Sequence, residues 1–464
     1  MQNETLSLAA KLNAVEEYER QPVPANKVKS FRSFIGMVAG EHIAGTEFVI
    51  GPLFVLHGAG AADIFLGLFV GNILATLSWA LICAPLAVKT RLTIFYQLEK
   101  ICGFGLVSIY NAINGLQFCV LAGSMMAVSA TAVGLAMDMP MPGLTDIYPN
   151  SVGWVLVVLG IGSVIAGVAV FGYDQVAYFS TICAPWMPLV FVAAAVAVLP
   201  QLGLTSIDGF WQVATEKIWT GVPAAGQSKY TLWHIIAFAW LCNTSMHIGL
   251  ADMSIYRYAK HSWYGFASAA GMFIGHYMAW IASGILCAVA LQSGNPNPSP
   301  GQIAFGSAGW AGILCVVIAG WTTANPCIYR SGLALQALWP SARRWKTTLA
   351  VGLLATLMAC FPGVVSKLDQ WLAVYALIAT PIGAIILVDV WLFPKLGLPS
   401  NWAEKTGANF NWIAAITWVL AVAAGYAIYQ AYGFDFYFFV AMPAWAVAIV
   451  VYIGLAKLRA GASG

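Results

Sequence analysis

The sequence predicts an all-α polytopic membrane protein of twelve transmembrane helices, built as a 5+5 inverted repeat with discontinuous helices 1 and 6, plus two C-terminal helices. Three observations predict it. Of 464 residues, 60% are hydrophobic and only 8% charged, whereas about a quarter of a soluble domain is charged. Apolar runs long enough to cross a bilayer recur along the whole chain, and the second half of the chain echoes the first at a nearly constant offset.

The runs centre on residues 34–56, 63–87, 105–135, 152–172, 177–200, 232–255, 264–292, 308–338, 347–361, 369–393, 411–431 and 437–456. Residues 1–31 are polar, with Glu16, Glu17, Glu19, Arg20 and two prolines. They predict a mobile cytoplasmic lead-in, with neither a signal peptide nor a separate domain.

Span 1, FIGMVAGEHIAGTEFVIGPLFVL from Phe34 to Leu56, carries Glu41, His42 and Glu47. Ionisable groups at membrane depth are costly and mark a pathway or a site. Gly36, Gly40, Gly45, Gly51 and Pro52 weaken the same run as a continuous helix. A broken helix with acids at the break is the expectation.

Spans 2 and 7 match at an offset of 204 residues: Phe69, Gly71, Ala75, Cys83 and Ala84 recur as Phe273, Gly275, Ala279, Cys287 and Ala288, and Asn72 faces His276. Spans 1 and 6 match over a shorter piece at 205, His42-Ile43 against His247-Ile248. An offset containing five spans inverts the second copy, which is the repeat of secondary transporters. The chain divides accordingly into a cytoplasmic segment 1–31, a first repeat 32–200, an outer loop 201–231, a second repeat 232–393, and helices 11 and 12 with the C-terminus in 394–464.

Span 6 pairs with span 1 and holds a polar cluster, Asn243, Thr244, Ser245 and His247, with Gly249 just beyond. Either these bond their own backbone or they line an unwound cavity. Loop 201–231 is expected to hold a short amphipathic helix. It and the Pro/Gly/Asn-rich loop 293–306 read as outer lids or as ordinary exposed linkers.

Loop charge sets the orientation. With the N-terminus inside, 17 of 21 Lys and Arg fall on the cytoplasmic side, Lys217, Lys229 and Lys367 outside, and Arg330 within a span. This predicts cytoplasmic N- and C-termini in the cell's inner (plasma) membrane. The net charge of +3 follows from this bias and implies no nucleic-acid partner. The nine cysteines are scattered and read as small packing residues. Partners are limited to the lipid bilayer and a small-molecule substrate, with no obligate protein partner. Without HExxH, GxSxG, clustered Cys/His or a phosphate loop, no catalytic residue, enzyme activity or cofactor is expected.

Three roles are open to Glu41: substrate counter-ion, proton carrier, or hydrogen-bonded structural plug. His42, His247 and His276 read as packing or as functional residues. Glu47 is placed in an outer vestibule. Asp252, Arg257, Arg330 and Asp389 are expected in inner-gate ion pairs, moving or static.

Span 8 contains AGWTTANPCIYRSGLALQALWP, residues 319–340, which resembles the nucleobase:cation symporter-1 family, in particular cytosine permeases. Trp321, Thr322, Thr323, Tyr329, Ser331, Gly332, Leu333 and Ala334 carry the resemblance. Asp63 with FLGLFVGN, the exit Lys89-Thr90-Arg91-Leu92-Thr93 and the Arg-Tyr-Ala ending of span 6 are similar too. The resemblance implies the leucine-transporter-type fold, alternating access, and symport driven by a cation, commonly sodium. It also implies a sodium site from the backbone carbonyls of Glu41, Ala44 and Ala319 and the hydroxyls of Thr322 and Thr323.

The aromatic residues with which that family stacks a flat base have no counterpart: Asn114 and Gln117 stand in span 3, Thr244 and Ser245 in span 6, and Ala324 precedes Asn325 in span 8. The expected ligand is a small polar nitrogen-containing solute of the nucleobase or a related class. The alternatives are a proton-coupled or a cationic, guanidine- or amine-like substrate using Glu41, or a channel. The expected substrate site is Glu41, His42, Gly45, Asn114, Gln117, Asn243, Thr244, Ser245 and Asn325.

Overall fold

The computed structural model describes residue 12 and residues 17–143, 145–295, 298–433 and 439–462, and every regular element among them is helical. Among the described residues, nine helices are long and apolar enough to cross a membrane. They are α3 (Ala61–Thr90), α5 (Phe104–Ala136), α6 (Val152–Ala169), α7 (Tyr173–Leu202), α9 (Ser262–Gln292), α10 (Pro300–Leu338), the stretch Gln370–Leu392, α13 (Trp412–Tyr432) and α14 (Ala441–Gly461). The stretches expected as three further spans fold into shorter helices. Span 1 is α1 (Phe31–His42) and α2 (Glu47–Leu56), span 6 begins as α8 (Leu232–Leu241), and span 9 is α11 (Arg344–Ala359). The amphipathic α4 (Ile94–Cys102) links α3 to α5, and Gln370–Leu392 belongs to α12 (Leu368–Leu387) and the π-turn that follows it.

Both predicted breaks are present. Span 1 opens between His42 and Glu47, with Ile43 at φ −103°, ψ 66°. Pro52, expected to contribute to this break, sits instead inside α2. Span 6 stops at Leu241, makes single turns at Thr244–His247 and Met253–Tyr256, and holds Leu250 at φ 66° between them. Left-handed backbone is uncommon for a bulky residue, and Leu250 adopts it fully buried.

Glycine lets neighbouring helices reach both breaks. A Cβ on Gly275 of α9 would lie 2.2 Å from the His42 carbonyl, and one on Gly383 of α12 would lie 1.9 Å from that of Ile248. Helices α5 and α10 make the most extensive contact of the fold and flank the broken pair.

Several loops differ from expectation. Part of the lead-in placed as mobile is packed: Glu17, Tyr18 and Val23 are buried, and Glu17 accepts from Tyr258 Oη, Tyr329 Oη and the Tyr173 amide, each at 2.8 Å. The rest of the lead-in before residue 17, Leu12 excepted, lies outside the described residues. Loop 293–306 carries the start of α10, because Ser299 and Gln302 form a capping box with Pro300 at the first position. The helix kinks only at Gly309 (φ 55°). In loop 201–231 the expected short helix runs through Ile207–Gly209, Phe210–Val213 and Ala214–Ile218. All nine cysteines are free and buried.

Candidate functional site

The two breaks meet at the centre of the bundle. From α10, Arg330 donates to both oxygens of Glu41, Nη1 to Oε1 at 2.5 Å and Nη2 to Oε2 at 3.0 Å, and Nη2 reaches Asp252 Oδ1 at 2.5 Å. Trp79 Nε1 of α3 donates to Asp252 Oδ2 at 2.7 Å. The guanidinium lies over the Phe118 ring of α5, 5.5 Å from its centroid. Every member is buried. A planar fork satisfies a carboxylate bidentately and neutralises it where water is absent, so both broken spans are tied to α10.

The expected ion pairs are thus redistributed. Asp252 pairs with Arg330 and not with Arg257. Arg257 lies one turn on, where its guanidinium is 3.9 Å from Glu17 Oε2, donates to the Tyr18 carbonyl at 2.8 Å, and reaches the Tyr258 and Tyr329 hydroxyls. Asp389 joins neither group: its carboxylate accepts from the Asn401 amide at 3.0 and 3.2 Å and fastens a loop. Two stacked polar layers therefore seal this end.

Seven residues before Arg330 on α10, Thr323 donates to the carbonyl of Glu41 at 2.8 Å, with the Ala319 carbonyl at 3.1 Å. Thr322 Oγ1 is also 3.1 Å from the Ala319 carbonyl. Four of the five oxygens expected at a sodium site are thereby neighbours. The fifth, the carbonyl of Ala44, accepts from the Glu47 amide at 3.2 Å.

Beside this cluster lies a cavity of about 40 Å³, lined by Glu41, His42, Ala44, Thr46, Glu47, Ile50, Leu121, Met125, Cys242, Asn243, Met246, His276, Trp280, Thr323, Leu368 and Leu372. Of the nine expected substrate residues, Glu41, His42 and Asn243 line it. The Glu41 carboxylate is already matched by Arg330. Gly45 instead faces Val128 and Gly320: a Cβ on it would lie 2.9 Å from Val128 Cγ1 and 3.2 Å from the Gly320 backbone. Asn114 accepts from Tyr375 Oη, and Gln117 is buried on the same helix with an unpartnered Nε2. Thr244 and Ser245 lie buried in the break of span 6. Asn325 faces α6: with its amide oriented to satisfy both neighbours, it donates to the Ile165 carbonyl and accepts from Trp321 Nε1, each at 3.0 Å.

Glu47 and Trp280 are among the lining groups that sequence did not place here. Glu47, assigned to an outer vestibule, lies deeper: Oε1 accepts from the Ala44 amide at 3.4 Å and Oε2 is buried without a partner. Its place in the first turn of a half-helix after a break was the available signal. Trp280 stacks on His276 at 4.2 Å, and His276 Nε2 lies 3.8 Å from Glu47 Oε1 and 3.5 Å from Asn243 Nδ2.

At the opposite end a vestibule of about 390 Å³ is lined by Leu53, Leu56, His57, Gln227, Lys367, Gln370 and others. It shares Ile50, Leu368 and Leu372 with the inner cavity. Three apolar side chains separate the two spaces on this side, against two polar layers on the other.

Among solved structures the chain aligns over 95% of its length, and 96% of the other's, with Mhp1, a nucleobase-cation-symport-1 family transporter in a closed conformation with bromovinylhydantoin bound, at TM-score 0.72 and 14% identity. The chain has that fold. It is the leucine-transporter type that the sequence predicted, and the inward-facing form of Mhp1 matches at TM-score 0.68, 14% identity and 96% and 94% coverage. A Na+-coupled sialic acid symporter in a substrate-bound, outward-open state matches at 0.64, with 11% identity and 95% and 92% coverage. No family description and no curated protein sequence matches the chain, so the likeness is one of fold, and the chain is a multi-pass membrane protein of this architecture.

Proposed function

We propose that the protein is a secondary active transporter, a sodium-coupled symporter that imports a small polar nitrogen-containing solute of the nucleobase-related class by alternating access. The observation that carries this reading is the meeting of the Glu41 carbonyl, freed by the break in span 1, with the Thr323 hydroxyl and the Ala319 carbonyl of α10. Sodium is a hard cation that takes oxygen ligands, and a broken helix leaves carbonyls free to supply them. Thr322 and the Ala44 carbonyl complete the proposed set.

Unequal closure supports alternating access. Ion pairs between α10 and both broken spans bar one end, whereas Ile50, Leu368 and Leu372 bar the other. The bias of Lys and Arg supports a cytoplasmic position for the ion-paired end and for both termini, in the inner (plasma) membrane. Among proteins of this fold, Mhp1 holds a hydantoin and the sialic acid symporter is sodium-coupled.

Reconstitution into vesicles tests the reading, with labelled cytosine, hydantoin and guanidinium offered under an imposed sodium gradient. Saturable uptake of at least one of them that collapses with a sodium ionophore is expected. Flux that neither saturates nor follows sodium would contradict it and favour a channel.

A further inference from the structure

Charge does not balance at the centre of the fold. Three buried carboxylates, Glu41, Asp252 and Glu47, meet one guanidinium, that of Arg330. In a low-dielectric interior a buried carboxylate needs a cationic partner. The sodium ion proposed beside Thr323 would supply one positive charge, and one carboxylate still lacks a permanent cationic partner, since the His276 ring 3.8 Å from Glu47 is a cation only when protonated. Geometry identifies it, because both oxygens of Glu41 and both of Asp252 are hydrogen-bonded while Glu47 Oε2 has nothing.

We propose that the solute is a small monovalent organic cation with N–H donors, of guanidinium or primary-ammonium type, and that Glu47, not Glu41, is its counter-ion. The inference rests on the sodium-symport reading above and, at the same site, puts a cationic class of nitrogen-containing solute in place of the nucleobase-related one. Glu47 is held in place by its bond from the Ala44 amide at the start of α2, a position that favours a negative charge. Oε2 then remains to accept from the ligand. Asn243 lines the same cavity with its amide nitrogen 3.5 Å from His276 Nε2, and the stacked rings of His276 and Trp280 give an aromatic wall suited to a planar cation.

Size agrees. A cavity of about 40 Å³ holds roughly three waters at 10–15 Å³ each, which is the room a solute of about four heavy atoms needs. Guanidinium has four. A nucleobase requires the vestibule gate to move, whereas this cation fits between the closed gates.

The test is thermal unfolding of the purified full-length protein in detergent, at fixed saturating sodium and matched ionic strength, with guanidinium or its neutral isostere urea at equal millimolar concentrations. Guanidinium is expected to raise the melting temperature saturably and urea to leave it unchanged. Glu47→Gln is expected to raise the half-saturating guanidinium concentration at least about tenfold, as loss of a charged hydrogen bond implies, and to keep the sodium-dependent stabilisation that shows it folded. If that variant cannot be purified, Trp280→Leu replaces it, with a weakened guanidinium response expected. Equal shifts by urea and guanidinium, no shift by either, or an unchanged guanidinium response in the variant would overturn the proposal. Absence of any sodium-dependent stabilisation in the wild type would instead count against the symport reading.

Discussion

Arg330 holds Glu41 by two hydrogen bonds, 2.5 and 3.0 Å long, across 289 positions of sequence. The same guanidinium takes Asp252, so one side chain of α10 fastens both broken spans. Opening at this end requires at least one of these contacts to part, and the partners cannot be left dry and unpaired when it does.

Removing the arginine therefore tests a lock and its charge together. Arg330→Met leaves two buried carboxylates facing each other and is expected to cost roughly 3–5 kcal/mol, read as a fall in melting temperature. Adding Glu41→Gln and Asp252→Asn to the same chain is expected to recover much of that loss, because the uncompensated charges are gone. Additive losses across the three sites would show that the groups do not act as a unit.

The two glycine contacts predict steric effects at opposite sides of the centre. Gly275→Ala and Gly383→Ala each press a methyl group against a carbonyl of a broken helix, at 2.2 and 1.9 Å, and each is expected to lose about 1–3 kcal/mol. Gly306→Ala in α10 meets nothing within 4 Å and is expected to be neutral or slightly stabilising through helix propensity. Melting temperatures of the three single variants settle it.

Glu17 predicts a change in dynamics. Its carboxylate joins the lead-in to Tyr173, Tyr258 and Tyr329, so Glu17→Ala removes three bonds from the seal around Arg257. Amide hydrogen exchange of residues 253–259 is expected to speed up by about tenfold or more, while that of the α13 core stays unchanged. Unchanged protection at 253–259 would show the lead-in to be a passive cover.

How far the sequence carried this picture follows from the range of each interaction. The break in span 1 was legible because Gly40, Gly45 and an acid crowd one apolar run, and the partner break was legible because its polar residues lie within a few positions. The fate of Glu41 was not, since the choice among counter-ion, proton carrier and plug depends on Arg330, whose approach is set by the packing of α5 against α10. Glu47 was read as shallower than it is. The residues from Ile43 to Thr46 set how far α2 is rotated and shifted against α1, and no local pattern encodes that angle. Asn325 was expected to meet a ligand from its place in a motif, but its position on α10 turns it toward Ile165. The helical start at Pro300 was hidden by a composition that reads as linker, although Ser299 and Gln302 carry the capping signal.

Sodium binding most directly separates a sodium-coupled symporter from the other possibilities open to this fold. The two threonines differ in reach: Thr323 touches both the Glu41 and Ala319 carbonyls, and Thr322 only that of Ala319. Radiolabelled sodium binding to the purified protein is expected to saturate and to be displaced by unlabelled sodium but not by potassium. It is expected to weaken at least about tenfold in Thr323→Ala and less in Thr322→Ala. No saturable sodium binding, or binding that is unchanged in Thr323→Ala, would contradict a sodium site at the break of span 1.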